Sequence, residues 1–178
     1  GKGNGLDPEA LFDLADELIY ETGYVMGMCG EAAFWKAFKG KTGITATDEE
    51  LREEILMRFT LRERVLRYVQ RVRASGMVTG ILSDQTNWLP ELDRRTPFFH
   101  LFDHVFNSYD LKKGKRDPSV FRDVAGRLGL QPGEVLFVDD KTGNIVRARE
   151  SGLRVLHFAD MDCFERGMKN LLKPYLKL

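Results

Sequence analysis

The sequence predicts an α/β fold, a parallel sheet with helices on both of its faces, preceded by a stretch that is helix alone. Three observations predict it. Residues 6–60 carry apolar positions at helical spacing. After Gly76, short apolar runs bounded by turn residues recur four times, at Met77–Leu82, His104–Phe106, Val135–Val138 and Arg154–Phe158, as strands buried on both faces do. Helical segments lie between those runs, and strands alternating with helices imply a parallel sheet built from crossover connections.

Taken in order, the first helix has Asp7 as N-cap and Pro8 at its first position, with Leu11, Leu14, Ala15, Leu18 and Ile19 inward. A second spans about Ala32 to Lys39 and carries Phe34, Trp35 and Phe38. The third opens at Thr47, whose spacing to Glu50 makes a capping box, and runs through Leu51, Ile55, Leu56 and Phe59. Thr60 and Glu63 repeat that spacing ahead of a helix with Val65, Leu66, Val69 and Val72 inward, ending near Gly76. Helices are also expected at Ser119–Leu128 and Asn144–Glu150. Gly23, Gly27 and Gly30 follow no strand and read as turn residues rather than a phosphate loop.

Composition narrows the function. Lys plus Arg (27) equals Asp plus Glu (27), so no global field favours nucleic acid or an anionic membrane. Arg62, Arg64, Arg67, Arg71 and Arg73 alternate with core positions on one helix and read as a solvated face. Cys29 and Cys163 lack any Cys-x-x-Cys pairing and are expected to be free thiols. His100 and His104 beside Asp103 are expected at the approach to a strand rather than on a metal. No apolar run approaches the roughly 20 residues a membrane helix needs, so a cytoplasmic protein is expected. The polar, glycine-rich Gly1–Gly5 lacks a methionine and leads us to expect a further segment upstream.

Ligands of such sheets gather at the carboxyl ends of the strands. Ser83 and Asp84 follow the first strand, Asp139 and Asp140 the third, and Lys115 precedes a helix between them. Adjacent carboxylates raise each other's pKa unless a cation sits beside them; magnesium, held by one or two carboxylates plus water and phosphate oxygens, fits Asp139 and Asp140. An alternative makes Asp140 or Thr142 an N-cap. Ser83 and neighbouring N–H groups could hold a phosphate oxygen, and Lys115 could neutralise a transferring phosphoryl group.

The runs GILSDQTN, GKRDPSVF and VLFVDDKTGNIVRARESG resemble the second, third and fourth motifs of the haloacid dehalogenase (HAD)-like hydrolases, in particular those with a small α-helical cap. The resemblance runs from Leu6 to about Leu172 and implies a Rossmann-like core at 61–178 under a cap at 6–60. It implies a phosphate site of Ser83, Asp84 and Lys115, with Ser83 and Lys115 catalytic, and a magnesium site of Asp139, Asp140 and Asn144. Arg116 stands where the family's motif usually has proline. The substrate implied is a small phosphorylated metabolite, chosen by the cap. Family members open with a strand ending in Asp-x-Asp, whose first aspartate attacks phosphorus. No such motif precedes the helices here, so the nucleophile is expected to be missing and the chain as printed inert. Asp160-Met161-Asp162 has the spacing but follows the last strand, and Asp162 reads as an N-cap. Deleting the nucleophile strand is expected to leave a gap in mid-sheet, between the Met77 and Val135 strands, unless Tyr24–Met28 fills it. Two other readings stay open: an inactive binding or regulatory module, and dehalogenase or phosphotransferase chemistry on the same scaffold.

Overall fold

The computed structural model describes residues 7–173; Gly1–Gly5, Leu6 and residues 174–178 lie outside it. Helix α1 spans Pro8–Glu21, with Asp7 as N-cap accepting from the Glu9 N–H at 3.1 Å. A 3₁₀ turn, Tyr24–Met26, sits between Gly23 and Gly27, both left-handed. The possible Tyr24–Met28 strand is therefore not formed. A side chain at Gly27 would press on the Tyr109 carbonyl oxygen at 2.8 Å, so this turn depends on glycine. Helices α2 (Glu31–Thr42) and α3 (Asp48–Leu56) follow. Thr47 forms the expected capping box: its hydroxyl accepts from the Glu50 N–H at 3.1 Å, and Glu50 accepts from the Thr47 N–H at 2.8 Å.

These helices close over an aromatic core of Leu18, Tyr24, Phe34, Trp35, Phe38 and Leu56. Trp88 and Leu92, from beyond the first strand, complete it; the Trp35 and Trp88 rings stack at 5.7 Å between centroids. The helical stretch thus shares its core with the α/β region.

Helix α4 spans Glu63–Ala74 with Arg62 at its N-cap and no side-chain cap. The expected Thr60–Glu63 box does not form, because the helix opens at Glu63 itself and leaves Thr60 two residues ahead of the N-cap. Four parallel strands follow among the described residues: β1 (Gly80–Ser83), β2 (His104–Asn107), β3 (Leu136–Asp139) and β4 (Arg154–His157). They pair β1 with β2 and β3 with β4, with Ser83 beside Asn107 and Asp139 beside His157. The two pairs stand as separate two-stranded sheets, with no hydrogen-bonded pairing between them. The run Met77–Thr79 stays outside the ladder because Asp103 takes the Thr79 N–H at 2.9 Å and the Thr79 carbonyl accepts from Asp103 and His104.

Helices cover two faces, as the alternation along each strand requires. On one, α7 (Ser119–Arg127) and α8 (Thr142–Glu150) pack Phe121, Val124 and Ile145 with Leu82, Phe106, Phe137 and Val155. On the other, α4 and α9 (Met161–Leu172) pack Tyr68, Phe164 and Met168 with Leu136, Val138 and Leu156. The short helices α5 (Leu89–Arg95) and α6 (Ser108–Leu111) follow β1 and β2. No helix among the described residues is long and apolar enough to cross a membrane.

Candidate functional site

Lys115 is where the polar loops meet. Its backbone N–H donates to both oxygens of Asp84, at 2.9 and 3.0 Å. Its ammonium donates to Asp139 at 2.7 Å, and its carbonyl accepts from the Arg147 Nε at 2.7 Å. One residue therefore ties the loop after β1 to the end of β3 and to α8. The ion pair is well shielded, with side-chain exposures of 13% for Lys115 and 6% for Asp139, and such a pair is tolerated only when its remaining valences are satisfied. On the Asp139 side they are: its second oxygen accepts from the Lys141 N–H at 2.8 Å and the Asn144 amide at 3.1 Å.

Asp84 is held from two sides. Besides the Lys115 N–H it accepts from the Tyr20 hydroxyl of α1 at 2.6 Å, and Gly114 lies so close that a Cβ there would come within 3.3 Å of the carboxylate. Burial first, then this hydrogen bond and the charge of Asp84, pushes the Tyr20 phenol well above its ordinary value. The Asp84 carboxylate can only accept, so the donor it has to offer an anion is its backbone N–H. Ser83, half-buried at the end of β1, carries the hydroxyl nearest in sequence.

Of the residues expected around magnesium, Asp139 spends both oxygens within the protein, and the buried Asn144 gives its carbonyl oxygen to Arg147 at 2.7 Å. Asp140 differs. Its carboxylate is 60% exposed, with Arg62 the nearest cation at 4.0 Å. Among the described residues no group of three or more His, Cys, Asp or Glu could hold a metal. Asp140 fits a hard cation as one open carboxylate ligand, with Asn144 and Asp139 bracing the loop behind it, and a complete site needs another ligand. Neither Asp140 nor Thr142 caps α8, whose N-cap is Lys141.

The remaining candidates have structural employment. Asp103 accepts from the Thr79 N–H and hydroxyl, both at 2.9 Å, and from Arg73 at 2.8 Å; those bonds, the Thr79 N–H first, hold its carboxyl below the ordinary value. Asp160, rather than Asp162, caps α9 by accepting from the Cys163 N–H at 2.7 Å. Arg64 pairs with Glu165 at 2.6 Å and Arg71 lies over the Tyr68 ring, as a solvated face would. Both cysteines are free.

Three contributors were not foreseen: Tyr20, Arg147 and the stacking of Arg116, whose guanidinium carbon lies 3.4 Å from the Tyr20 ring centroid. A faint signal existed for Tyr20, which stands one turn from Asp16 among polar residues of α1. Arg147 has none, since nothing local places α8 against the Lys115 loop.

Parallel strands under two helical layers, with polar loops gathered at their carboxyl ends, define a Rossmann-like α/β protein with a site at the strand ends. The haloacid dehalogenase-like hydrolase family matches residues 8–152, and the chain belongs to that family. It is 23% identical over 123 residues to flavin mononucleotide hydrolase 1 of Arabidopsis thaliana, covering 69% of this chain and 50% of that one. To bifunctional epoxide hydrolase 2 of Rattus norvegicus it is 26% identical over 101 residues, 53% of this chain and 18% of that one. The chain thus spans half or less of the length of these curated relatives. Among solved structures, a HAD family enzyme of Bacteroides thetaiotaomicron in complex with magnesium and inorganic phosphate superposes with a TM-score of 0.67 at 19% identity, over 85% of this chain and 86% of that one. A predicted HAD-like hydrolase of Porphyromonas gingivalis gives 0.72 at 21%, over 94% and 81%. The L-2-haloacid dehalogenase of Xanthobacter autotrophicus, with chloropropionic acid covalently bound, gives 0.67 at 18%, over 95% and 74%.

Proposed function

We propose that the complete protein is a magnesium-dependent phosphatase of a small phosphomonoester, working in the cytoplasm through a phosphoaspartate. The observation that carries this reading is Lys115, whose ammonium is held at the end of β3 while its N–H fixes the loop after β1. In this role Ser83 and the Asp84 N–H take phosphoryl oxygens, and Lys115 neutralises the charge that moves during transfer. Asp140 is the open ligand for magnesium, which when bound offsets charge on the phosphoryl oxygens. Asp139 and Asn144 orient Lys115 and the metal loop. The attacking aspartate comes from an additional strand ending in Asp-x-Asp, inserted between the two strand pairs.

Of the open readings, dehalogenase or phosphotransferase chemistry uses the same residues, and substrate screening separates it. The inactive-module reading draws support from the close pairing of Lys115 with Asp139. Aryl phosphate hydrolysis decides. The chain as printed is expected to turn over no p-nitrophenyl phosphate with magnesium. The same chain extended with its gene's in-frame upstream residues, where these encode an apolar strand ending in Asp-x-Asp, is expected to do so. Asp140→Asn should then lower turnover about a hundredfold. Turnover by the printed chain, or an extended chain that stays inert, counts against the proposal.

A further inference from the structure

We propose that Arg116 and Lys141 form a second anion subsite beside Lys115, so that the substrate is a phosphomonoester carrying a further negative group such as a carboxylate. The inference rests on the phosphatase reading and deepens it by naming the substrate class.

The two cations come from the two loops that build the phosphate site. Arg116 follows Lys115 directly, and Lys141 follows Asp140. Both converge on a single carboxylate, Asp16 of α1, with Lys141 at 3.4 Å and Arg116 at 4.0 Å. Two positive charges from the core thus share one negative charge from the helical stretch. Each cation is more than half exposed, 64% for Lys141 and 55% for Arg116, and exposed pairs of this kind are weak. An incoming anion can therefore displace Asp16 or join it.

Arg116 is also held ready. Its guanidinium carbon lies 3.4 Å from the centroid of the Tyr20 ring, and Tyr20 is itself anchored through its hydroxyl to Asp84. Stacking fixes the plane of the fork without using its in-plane donors, and Asp16 stands too far away to form a hydrogen bond with it. A planar arginine with unspent donors suits a carboxylate or a second phosphate, either of which it can meet with two parallel hydrogen bonds. Tyr20 and Asp84 join this subsite to Lys115 through three consecutive contacts, so the two anion positions are held in a fixed relation. That fixed relation would select on the spacing between the phosphoryl group and the second charge.

The test is a binding titration of the full chain in magnesium buffer with phenyl phosphate and with 4-carboxyphenyl phosphate, which differ only in the second charge. The carboxylated probe is expected to bind about three- to tenfold tighter. Arg116→Met combined with Lys141→Met should remove that preference, so that the two probes bind alike, while Arg116→Lys keeps part of it by keeping the charge. Both side chains are exposed, and thermal melts of each variant verify folding. Equal affinity for the two probes, or a preference that survives the double substitution, overturns the subsite while leaving the phosphatase reading intact. Binding of the carboxylated probe alone, lost in the double variant, upholds the subsite and counts against phosphate recognition at Lys115. Binding of neither probe overturns both.

Discussion

The helical stretch and the strands it precedes are buried in opposite measure to what an α/β protein ordinarily shows. Strands at the middle of a parallel sheet are covered on both faces and form the driest part of such a domain. Here Trp35, Phe34, Tyr24 and Val25 of the helical stretch are at most 1% exposed, whereas Phe137 and Asn107 are the only buried residues within β1 to β4. Leu82, Phe106 and Val138 are covered by helices yet stay half-open. The difference teaches that the helical stretch is more fully covered than the strands. The two strand pairs are joined by side chains rather than by a ladder: Leu82 and Phe106 share a core with Phe137 and Val155, and Lys115 ties the loop after β1 to the end of β3.

The sharpest way to break this contrast is to cut into each side. Trp35→Ala should cost about 3–5 kcal/mol in urea unfolding, as a fully buried aromatic does, and Leu82→Ala about half of that or less, because part of its side chain already meets water. Equal losses would mean that the strands are as complete as the helices.

A smaller effect separates the contact between the two regions. Tyr20 and Tyr24 have phenols raised above the ordinary value near 10, burial being the first cause for each. A raised folded-state value means that the unfolded chain loses these protons first. The stability they contribute is therefore full below about pH 10 and is lost as pH rises through the raised values. In an alkaline titration followed by phenolate absorbance, two of the five tyrosines should ionise only as the protein unfolds. Tyr20→Phe should leave one, at a cost of about 1–1.5 kcal/mol for the bond to Asp84.

The smallest test compares two copies of one sequence pattern. Thr47→Ala should cost about 1 kcal/mol, since its capping box is formed. Thr60→Ala should fall within about 0.5 kcal/mol of neutral, since its box is not.

That last pair also shows what could be read from the chain. Thr47 and Thr60 each precede a glutamate by three residues, and local spacing cannot tell them apart. What separates them is where the helix starts: Thr47 is the N-cap of α3, whereas α4 takes Arg62 as its N-cap, a residue held over Phe158 at 4.7 Å and near Asp140. The strands were legible to within about three residues because buried apolar runs are short-range signals; Met77–Thr79 was misplaced because a carboxylate 24 residues away takes its N–H. The residues of the site were legible as types and in order. Their pairing was not, since Asp139 reads as a metal ligand in sequence and as the counter-ion of Lys115 in space. The division of the strands into two separate parallel pairs is a tertiary feature that no local signal carries.

Lys115 divides its work between two kinds of atom, and that division has an evolutionary side. Its N–H and carbonyl fix the surrounding loops by holding Asp84 and Arg147, and those atoms belong to every residue type but proline in full. Its ammonium supplies the charge, and only that part is erased when the codon changes. The form of the site is therefore inherited separately from its electrostatics, and a lineage could lose or retune the chemistry at this position while the architecture around it persists.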